Sequence, residues 1–372
     1  MTSDTAARLG RLLGEHDSGW ALLTSPEMVG YVTAAPVAIE TGRSPFAGGP
    51  ATALVSHDGR CVLITTNIES PGTSLADDIV DYVGFSADGP ENLDQNYLEA
   101  LGAAIDLLSP SPGPALVEPA SLPAHVDDLL RRRSIPTRDG TQIFARARMI
   151  KTPRELTLLT ESGRHAALGQ NTAVDAAEVG MTELQLFSLV RSAVEAEAGE
   201  RVAIAGDLLS GPDRTAGVGG WPTSRRIVEN DPVIFDFAPR INGYWADSCN
   251  TFTVGGGAPK IQRLRRLVLT ALQAGIETAV PGASVADIDR SVRKVLREHG
   301  YDYPHHTGHS IGTSVHEHPR IIPGEPARLE PGMVILLEPG AYESGTGGVR
   351  LETMLHITDS GSVPLTDHLA VT

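Results

Sequence analysis

Two aspartates set into one apolar hairpin constrain this chain more than any other feature. Val233-Ile234-Phe235-Asp236-Phe237 is an apolar run that meets an acid, and Tyr244-Trp245-Ala246-Asp247 carries a second. Asn242-Gly243 between them is a strong two-residue hairpin turn, because both residues tolerate positive φ. A turn there predicts Asp236 opposite Cys249 and Asp247 opposite Ala238. Strand side chains alternate between faces, so the two acids share a face as diagonal neighbours, about 7–8 Å apart at the backbone. Ala238 is small and leaves room between them. Two carboxylates on an apolar face repel each other and lose hydration unless a cation lies between them. The alternative is a pair of surface acids on a half-exposed hairpin, and the rest of the chain decides between the two.

Five of the 12 histidines fall in one short stretch: His305, His306, His309, His316 and His318. They lie in His305-His306-Thr307-Gly308-His309-Ser310-Ile311-Gly312 and Val315-His316-Glu317-His318-Pro319. Gly308 and Gly312 allow close approach of the backbone to a site. Neutral imidazole is the commonest metal ligand and a proton carrier. A lone histidine would be read as structural, whereas five together with glycines favour a site. Two glutamates follow. Val334-Ile335-Leu336-Leu337-Glu338 is an apolar strand ending in an acid, and Gly348-Val349-Arg350-Leu351-Glu352 places another beyond a glycine-rich loop. Four carboxylates and one histidine suit two divalent ions of the Mn, Co, Zn or Fe type. The set is too acidic for a structural zinc, which prefers Cys and His.

Composition narrows the partners. The chain has 372 residues, formal net charge −16 and 41% hydrophobic residues. An acidic chain of this kind disfavours nucleic acid and anionic membrane as partners. No apolar stretch approaches the roughly 18–20 residues of a membrane span. Cys61 and Cys249 fit neither a disulfide framework nor a paired metal motif, which fits a reducing cytoplasm. Met1 to Trp20 lacks a basic start followed by an apolar run, so no secretory signal is expected.

The length suggests two domains. The first part reads as alternating strands and helices: Ala6, Leu9, Leu12 and Leu13 at helical spacing, a strand at Trp20–Thr24, and strands Ala51–Ser56 and Cys61–Thr65 flanking His57-Asp58-Gly59. A helix over Leu93–Leu108, a strand at Ala115–Glu118 and a helix over Leu122–Arg131 complete a small α/β domain. Thr152-Pro153-Arg154-Glu155 then has the form of a helix start with a capping box. The boundary is therefore placed at 148, giving domains 1–148 and 149–372. Helices are expected from there to Ala177, from Thr182 to Glu197, over Ile261–Ala279 and over Val285–His299. No repeat of 20–50 residues is visible, although a duplication inside the second domain would escape this reading.

These residues resemble the pita-bread metallopeptidases, the group of methionine aminopeptidase, aminopeptidase P, prolidase and the related creatinase. The family's ligand order Asp, Asp, His, Glu, Glu is matched at family spacing by Asp236, Asp247, His309, Glu338 and Glu352. His316 fits the second histidine of the family's Gly-His…His-Glu-x-Pro run. His305 and Arg350 fit positions that accompany catalysis in the proline-directed branch. Leu22-Leu23-Thr24-Ser25-Pro26 with Val29-Gly30-Tyr31-Val32-Thr33 resembles the opening of the creatinase/prolidase N-terminal domain. Met149-Ile150-Lys151-Thr152-Pro153-Arg154-Glu155 resembles its junction with the catalytic domain.

The resemblance implies an α/β (α+β) fold: a creatinase-like N-terminal domain followed by a pita-bread catalytic domain. It implies a homodimer acting on a peptide or small amide, with two divalent ions, manganese foremost. Asp247 and Glu352 would bridge the ions, Asp236 would serve one and His309 the other. Glu338 would be both ligand and proton acceptor. His316 would stabilise the oxyanion, His305 would position substrate or carry protons, and Arg350 would hold an acid or a substrate carboxylate. The implied reaction removes the N-terminal residue from X–Pro peptides or dipeptides.

The chain departs from the pattern in places. Ala216-Gly217-Val218-Gly219-Gly220-Trp221 stands where the peptidases carry a histidine. Asn250-Thr251, Asp236-Phe237-Ala238 and Gly308-His309-Ser310 replace Arg-Thr, Asp-x-Gly and Gly-His-Gly. These departures keep two alternatives open: a hydrolase or lyase for a C–N bond in a small or modified amide, and a non-catalytic binding protein. Arg214, in the loop Ser210–Thr215, is a candidate for substrate recognition in place of the histidine, or part of an ordinary glycine-rich turn.

Overall fold

The computed structural model describes residues 3–370 except Asp17, Glu40, Thr41, Arg43, Ser70, Pro71 and Thr73. The chain divides into two compact units, Met1–Arg148 and Met149–Thr372. The first is a six-stranded mixed sheet in the spatial order Asp78–Tyr82, Cys61–Thr66, Thr52–Ser56, Trp20–Leu23, Ala115–Val117, Thr137–Asp139. Its central strands are buried on both faces, and alternation divides the side chains between two cores. Ala21 and Leu23 pack with the helices Asp4–Glu15 and Pro26–Thr33, while Trp20 and Leu22 pack with Leu93–Leu108 and Ala124–Arg132. The helix Pro26–Thr33 goes beyond the sequence reading. Ser25 caps it by accepting from Met28 N, with Pro26 in the first turn.

The second unit opens on the helix Pro153–Ala176, where Thr152 and Glu155 form the reciprocal capping box. Thr182 and Gln185 form another at the helix Glu183–Ala198. Two further helices, Pro259–Thr278 and Val285–Arg297, pack against each other and on the sheet containing Val334–Leu337.

These helix pairs belong to a repeated plan. Thr182 bridges Arg226, whose guanidinium donates to Gly180 O. Ser284 bridges Arg328, whose guanidinium donates to Gly282 O. The glycine amides repeat as well: Gly180 N donates to Ile227 O and Gly282 N to Leu329 O. Every pair recurs at the same interval along the chain, and at that interval Asp236 corresponds to Glu338. The duplication is thus plain in the hydrogen bonds although sequence periodicity does not reveal it.

The acidic hairpin has the register that Asn242-Gly243 predicts. Ile241 pairs with Tyr244, and Cys249 pairs with Asp236. Asn242 and Gly243 have φ of 50° and 83°, the positive values such a turn requires. The ladder is handed from one sheet to another at Phe237: Pro232–Asp236 pairs with Cys249–Thr253 and Leu208–Ser210, while Ala238–Ile241 pairs with Tyr244–Trp245 and Ala203–Ala205. In the second half, Gly308–Ser310 lies between Glu317–Ile321 and Val334–Leu337, with a bulge between His309 and Ser310.

A buried ion pair fixes the loop that carries His316. Lys151 Nζ lies 2.9 Å from Glu317 Oε2, with side-chain exposures of 0% and 2%. The other Glu317 oxygen accepts from Ser314 N. Removing one member of such a pair strands the other charge in a low-dielectric interior. Lys151→Met is therefore expected to destabilise the second unit by about 3–5 kcal/mol, read as a lowered denaturant midpoint in urea unfolding; a loss under about 1 kcal/mol would contradict this account.

Candidate metal centre

Each of the five acids and imidazoles is held by backbone that the fold fixes independently. Asp236 ends the strand Pro232–Asp236, and Asp247 precedes Cys249–Thr253 on the partner strand. His309 is the middle residue of Gly308–Ser310. Glu338 follows Val334–Leu337, and its amide donates to Thr307 O. Glu352 lies just past the strand Gly347–Arg350 rather than within it. Its amide donates to Cys249 O, joining the two halves at the site. Ligand atoms of Asp247, His309 and Glu352 lie within 4.8 Å of one another.

The tautomer of His309 follows from its neighbour. Its Nδ1 is 2.9 Å from Ser310 O, and a carbonyl can only accept, so Nδ1 carries the proton. The Nε2 lone pair then faces the acids, 3.7 Å from Glu338 Oε1 and 3.9 Å from Asp247 Oδ2. A backbone-anchored imidazole with its free nitrogen among carboxylates is the usual state of a metal-binding histidine.

The electrostatics are those of crowded acids meeting one guanidinium, that of Arg350. Burial pushes Asp236 up to about 6, against the pull of Arg350 and with a further push from Glu338. Burial, then Asp236 and Glu338, hold Asp247 well above the carboxylate range. Burial, then Asp247 and Glu338, do the same to Glu352. Glu338 is also buried, but its contacts with His306, His309 and His305 outweigh that burial and hold it down at about 2. Burial pushes His309 down to about 4, keeping it neutral as a ligand must be. Glu352 Oε2 is buried without a hydrogen-bond partner. An orphaned carboxylate oxygen beside repelling acids and a neutral imidazole fits a divalent cation.

His305 and His316 stand around this set. His305 Nδ1 lies 2.8 Å from His306 O and so carries the proton, leaving Nε2 to accept from the Tyr342 hydroxyl at 2.9 Å. His316 is exposed, with its ring 4.2 Å from that of His309. His306, His309 and His316 also form a group of nitrogens within 4.8 Å of one another.

Arg350 is buried, and its partners are acids of its own chain. Nη2 lies 2.8 Å from Asp236 Oδ2 and 2.9 Å from Asp207 Oδ2, while Nη1 donates to Val218 O. Of the two partners considered from the sequence, an acid is the one present.

Asp207 escapes the sequence reading. Its backbone exchanges both hydrogen bonds with Asp236, and its Oδ1 accepts from Gly220 N. Asp207 and Arg350 thereby tie the glycine-rich loop to a candidate ligand. Arg214 does not point toward recognition: Nε donates to buried Glu183 and Nη2 to Trp221 O, so it staples the loop. Tyr342 and His306 are likewise site neighbours that the sequence reading did not assign. An acid directly after a glycine (Gly206-Asp207) was the available signal for Asp207. Cys249 is a buried free thiol, and Cys61 is also unpaired.

Antiparallel sheets backed by paired helices, enclosing four carboxylates and an imidazole at the junction of two similar halves, define the pita-bread architecture with a carboxylate-rich candidate metal site. Residues 157–359 match metallopeptidase family M24, and the chain belongs to that family. The Xaa-Pro dipeptidase of Pyrococcus furiosus is 32% identical over 221 residues, 59% of this chain and 63% of that protein. The Xaa-Pro dipeptidase of Lactobacillus delbrueckii subsp. lactis is 30% identical over 232 residues, 62% of this chain and 63% of that protein. The chain thus spans less than two thirds of the length of these curated relatives in the matched region. The fold is similar over nearly its whole length to the prolidase from Pyrococcus horikoshii OT3, with a TM-score of 0.81, 24% identity and coverage of 98% of each chain. Among the described residues, no helix is long and apolar enough to cross a membrane.

The raised acids make stability depend on pH in a stated direction. Asp236 keeps its proton to about 6 when folded but loses it near 3.8 when unfolded. The folded state binds more protons between those values, so this stabilisation is present below 3.8 and lost as pH rises through about 6. Asp247 and Glu352 shift in the same direction and extend the loss upward. The melting temperature of metal-stripped protein should fall across this window. Saturating divalent ion should counter the fall, because it binds the deprotonated ligands. Asp236→Asn should flatten part of the dependence. Thermal melts over a pH series test this; a metal-free melting temperature that rises through the window would refute it.

Proposed function

We propose that this chain is a dinuclear metal-dependent peptidase that releases the N-terminal residue from X–Pro dipeptides or longer X–Pro peptides. The observation that carries the reading is the ligand set itself: Asp236, Asp247, His309, Glu338 and Glu352 converge in a buried site where four carboxylates meet the single guanidinium of Arg350. The Xaa-Pro dipeptidase names of the relatives support the substrate class. An oxygen-rich donor set favours manganese, with Co, Zn or Fe as substitutes. Asp236, Asp247, His309, Glu338 and Glu352 would hold the ions, with Asp247 and Glu352 as the residues shared between them. The N-terminal unit, residues 1–148, is the creatinase-like domain, and the protein works as a cytoplasmic homodimer.

When bound, the two ions supply Lewis acidity to the scissile carbonyl and acidify a water. Glu338 accepts that water's proton on a carboxylate oxygen and returns it to the leaving nitrogen. His316, at the exposed side, donates a hydrogen bond to the carbonyl oxygen as its negative charge grows. His305, held by Tyr342 and the His306 carbonyl, orients the substrate. Arg350 holds Asp236 in its ligating position rather than binding substrate.

One observation favours a second reading. The loop tied to Arg350 and Asp207 carries no histidine and presents Val218 and Trp221, the latter 82% exposed. This surface suits a substrate of apolar character, so a specialised hydrolase or lyase acting on a C–N bond of a modified amide is the alternative.

The test is to load purified protein with manganese and follow release of the N-terminal residue from X–Pro dipeptides and longer X–Pro peptides. Metal-dependent cleavage is expected, with Asp247→Ala abolishing both ion binding and turnover. Two bound ions with no cleavage of any X–Pro substrate would overturn the peptidase reading in favour of the second. Full turnover by metal-free protein would overturn both.

A further inference from the structure

His306 bridges an exposed arginine and the carboxylate assigned as proton acceptor. Backbone hydrogen bonds fix its place: Thr307 N donates to Ile321 O and Glu338 N donates to Thr307 O. The residue before Thr307 is therefore threaded between the strand bearing Arg320 and the end of the strand bearing Glu338. On one side, Arg320 Nη2 lies 2.7 Å and Nε 3.3 Å from His306 Nδ1. On the other, His306 Nε2 lies 2.6 Å from Glu338 Oε1.

The chemistry of these partners leaves one protonation pattern. A guanidinium can only donate, so Nδ1 of His306 must accept. The single proton of the neutral ring is then on Nε2, the nitrogen that lies 2.6 Å from Glu338 Oε1. Both ring nitrogens are thereby engaged by the protein. This also bears on the group formed by His306, His309 and His316, which has the spacing of a metal trio. With Nδ1 taken by Arg320 and Nε2 carrying a proton, His306 has no lone pair for an ion.

We propose that Arg320 and His306 form a positioning relay: Arg320 fixes the His306 tautomer, and His306 then holds one oxygen of Glu338 so that the other is presented to the metals. It deepens the reading of Glu338 as ligand and proton acceptor, and rests on it. Partners of this kind outside the ligand set typically contribute 10–100-fold to metal affinity or activity. Glutamine can mimic the relay, since its amide nitrogen donates and its oxygen accepts, whereas leucine can do neither.

The experiment has three readouts. Nitrogen-15 NMR of the imidazoles in metal-free protein should show His306 with an unprotonated Nδ1 and a protonated Nε2. Arg320→Leu, a change at an exposed residue that leaves the fold intact, should mix the tautomers. Manganese affinity by titration calorimetry should fall about 10–100-fold in His306→Leu and stay within a few-fold in His306→Gln. Turnover on the X–Pro panel should show the loss in kcat rather than KM, with the same rescue by glutamine. A protonated Nδ1 in the wild-type protein, unchanged affinity in His306→Leu, or a third ion lost on His306→Leu would each overturn the relay. If no X–Pro substrate is cleaved, the NMR and affinity measurements still decide it, so failure of the relay is distinguishable from failure of the substrate reading.

Discussion

Crowded negative charge in a low-dielectric interior is the constraint on which the rest of this catalytic unit depends. Among the described residues, Asp236, Asp247, Glu338 and Glu352 meet one guanidinium, that of Arg350, and no other fixed cation. Hydration is much reduced, and repulsion between carboxylates is weakly screened. The chain answers in three ways. Arg350 takes Asp236 and Asp207. Histidines gather round Glu338. Burial and mutual repulsion hold the Asp247 and Glu352 carboxyls well above the usual carboxylate range. A site held in this strained balance is one whose charge state is meant to change.

The sequence made some of this legible for definite physical reasons. The hairpin was readable because strand alternation has period two and Asn-Gly dictates a turn, so placing Asp236 opposite Cys249 followed from counting. The capping box at Thr152 and Glu155 was readable because it is local. The strand ending at Glu338 announced itself by a purely apolar run. The ligand set as a whole was read through its order and spacing, matched to a family. The site also contains what no local pattern encodes. Asp207 joins Asp236 through strands only three residues long, too short to show alternation. The contact of His306 with Arg320 depends on the register of two strands distant in sequence, Gly308–Ser310 and Glu317–Ile321. The edge strand Asp78–Tyr82, half exposed, lacked the apolar density that would have marked it.

The loop over residues 211–221 shows how a departure from the family pattern can be absorbed without loosening the site. Glu183 accepts from Ser210, Arg214 and Thr223, closing the loop at its base. Asp207 and Arg350 then pin its far side by Gly220 N and Val218 O. Main-chain groups bear the anchoring, so the side chains of Val218 and Trp221 are left free to face outward. Such a loop can exchange its side chains at little cost in stability, which suits a segment that sets substrate preference.

The repeated plan of the second unit has a further consequence. Asp236 and Asp247 come from one half, and His309, Glu338 and Glu352 from the other, so neither half owns a complete site. Whatever affinity the centre has for its ions is shared out as adhesion between the halves. Bound ions would then act as a rivet as well as a reagent, and a chain with a filled centre would resist prying apart along the seam between its repeats.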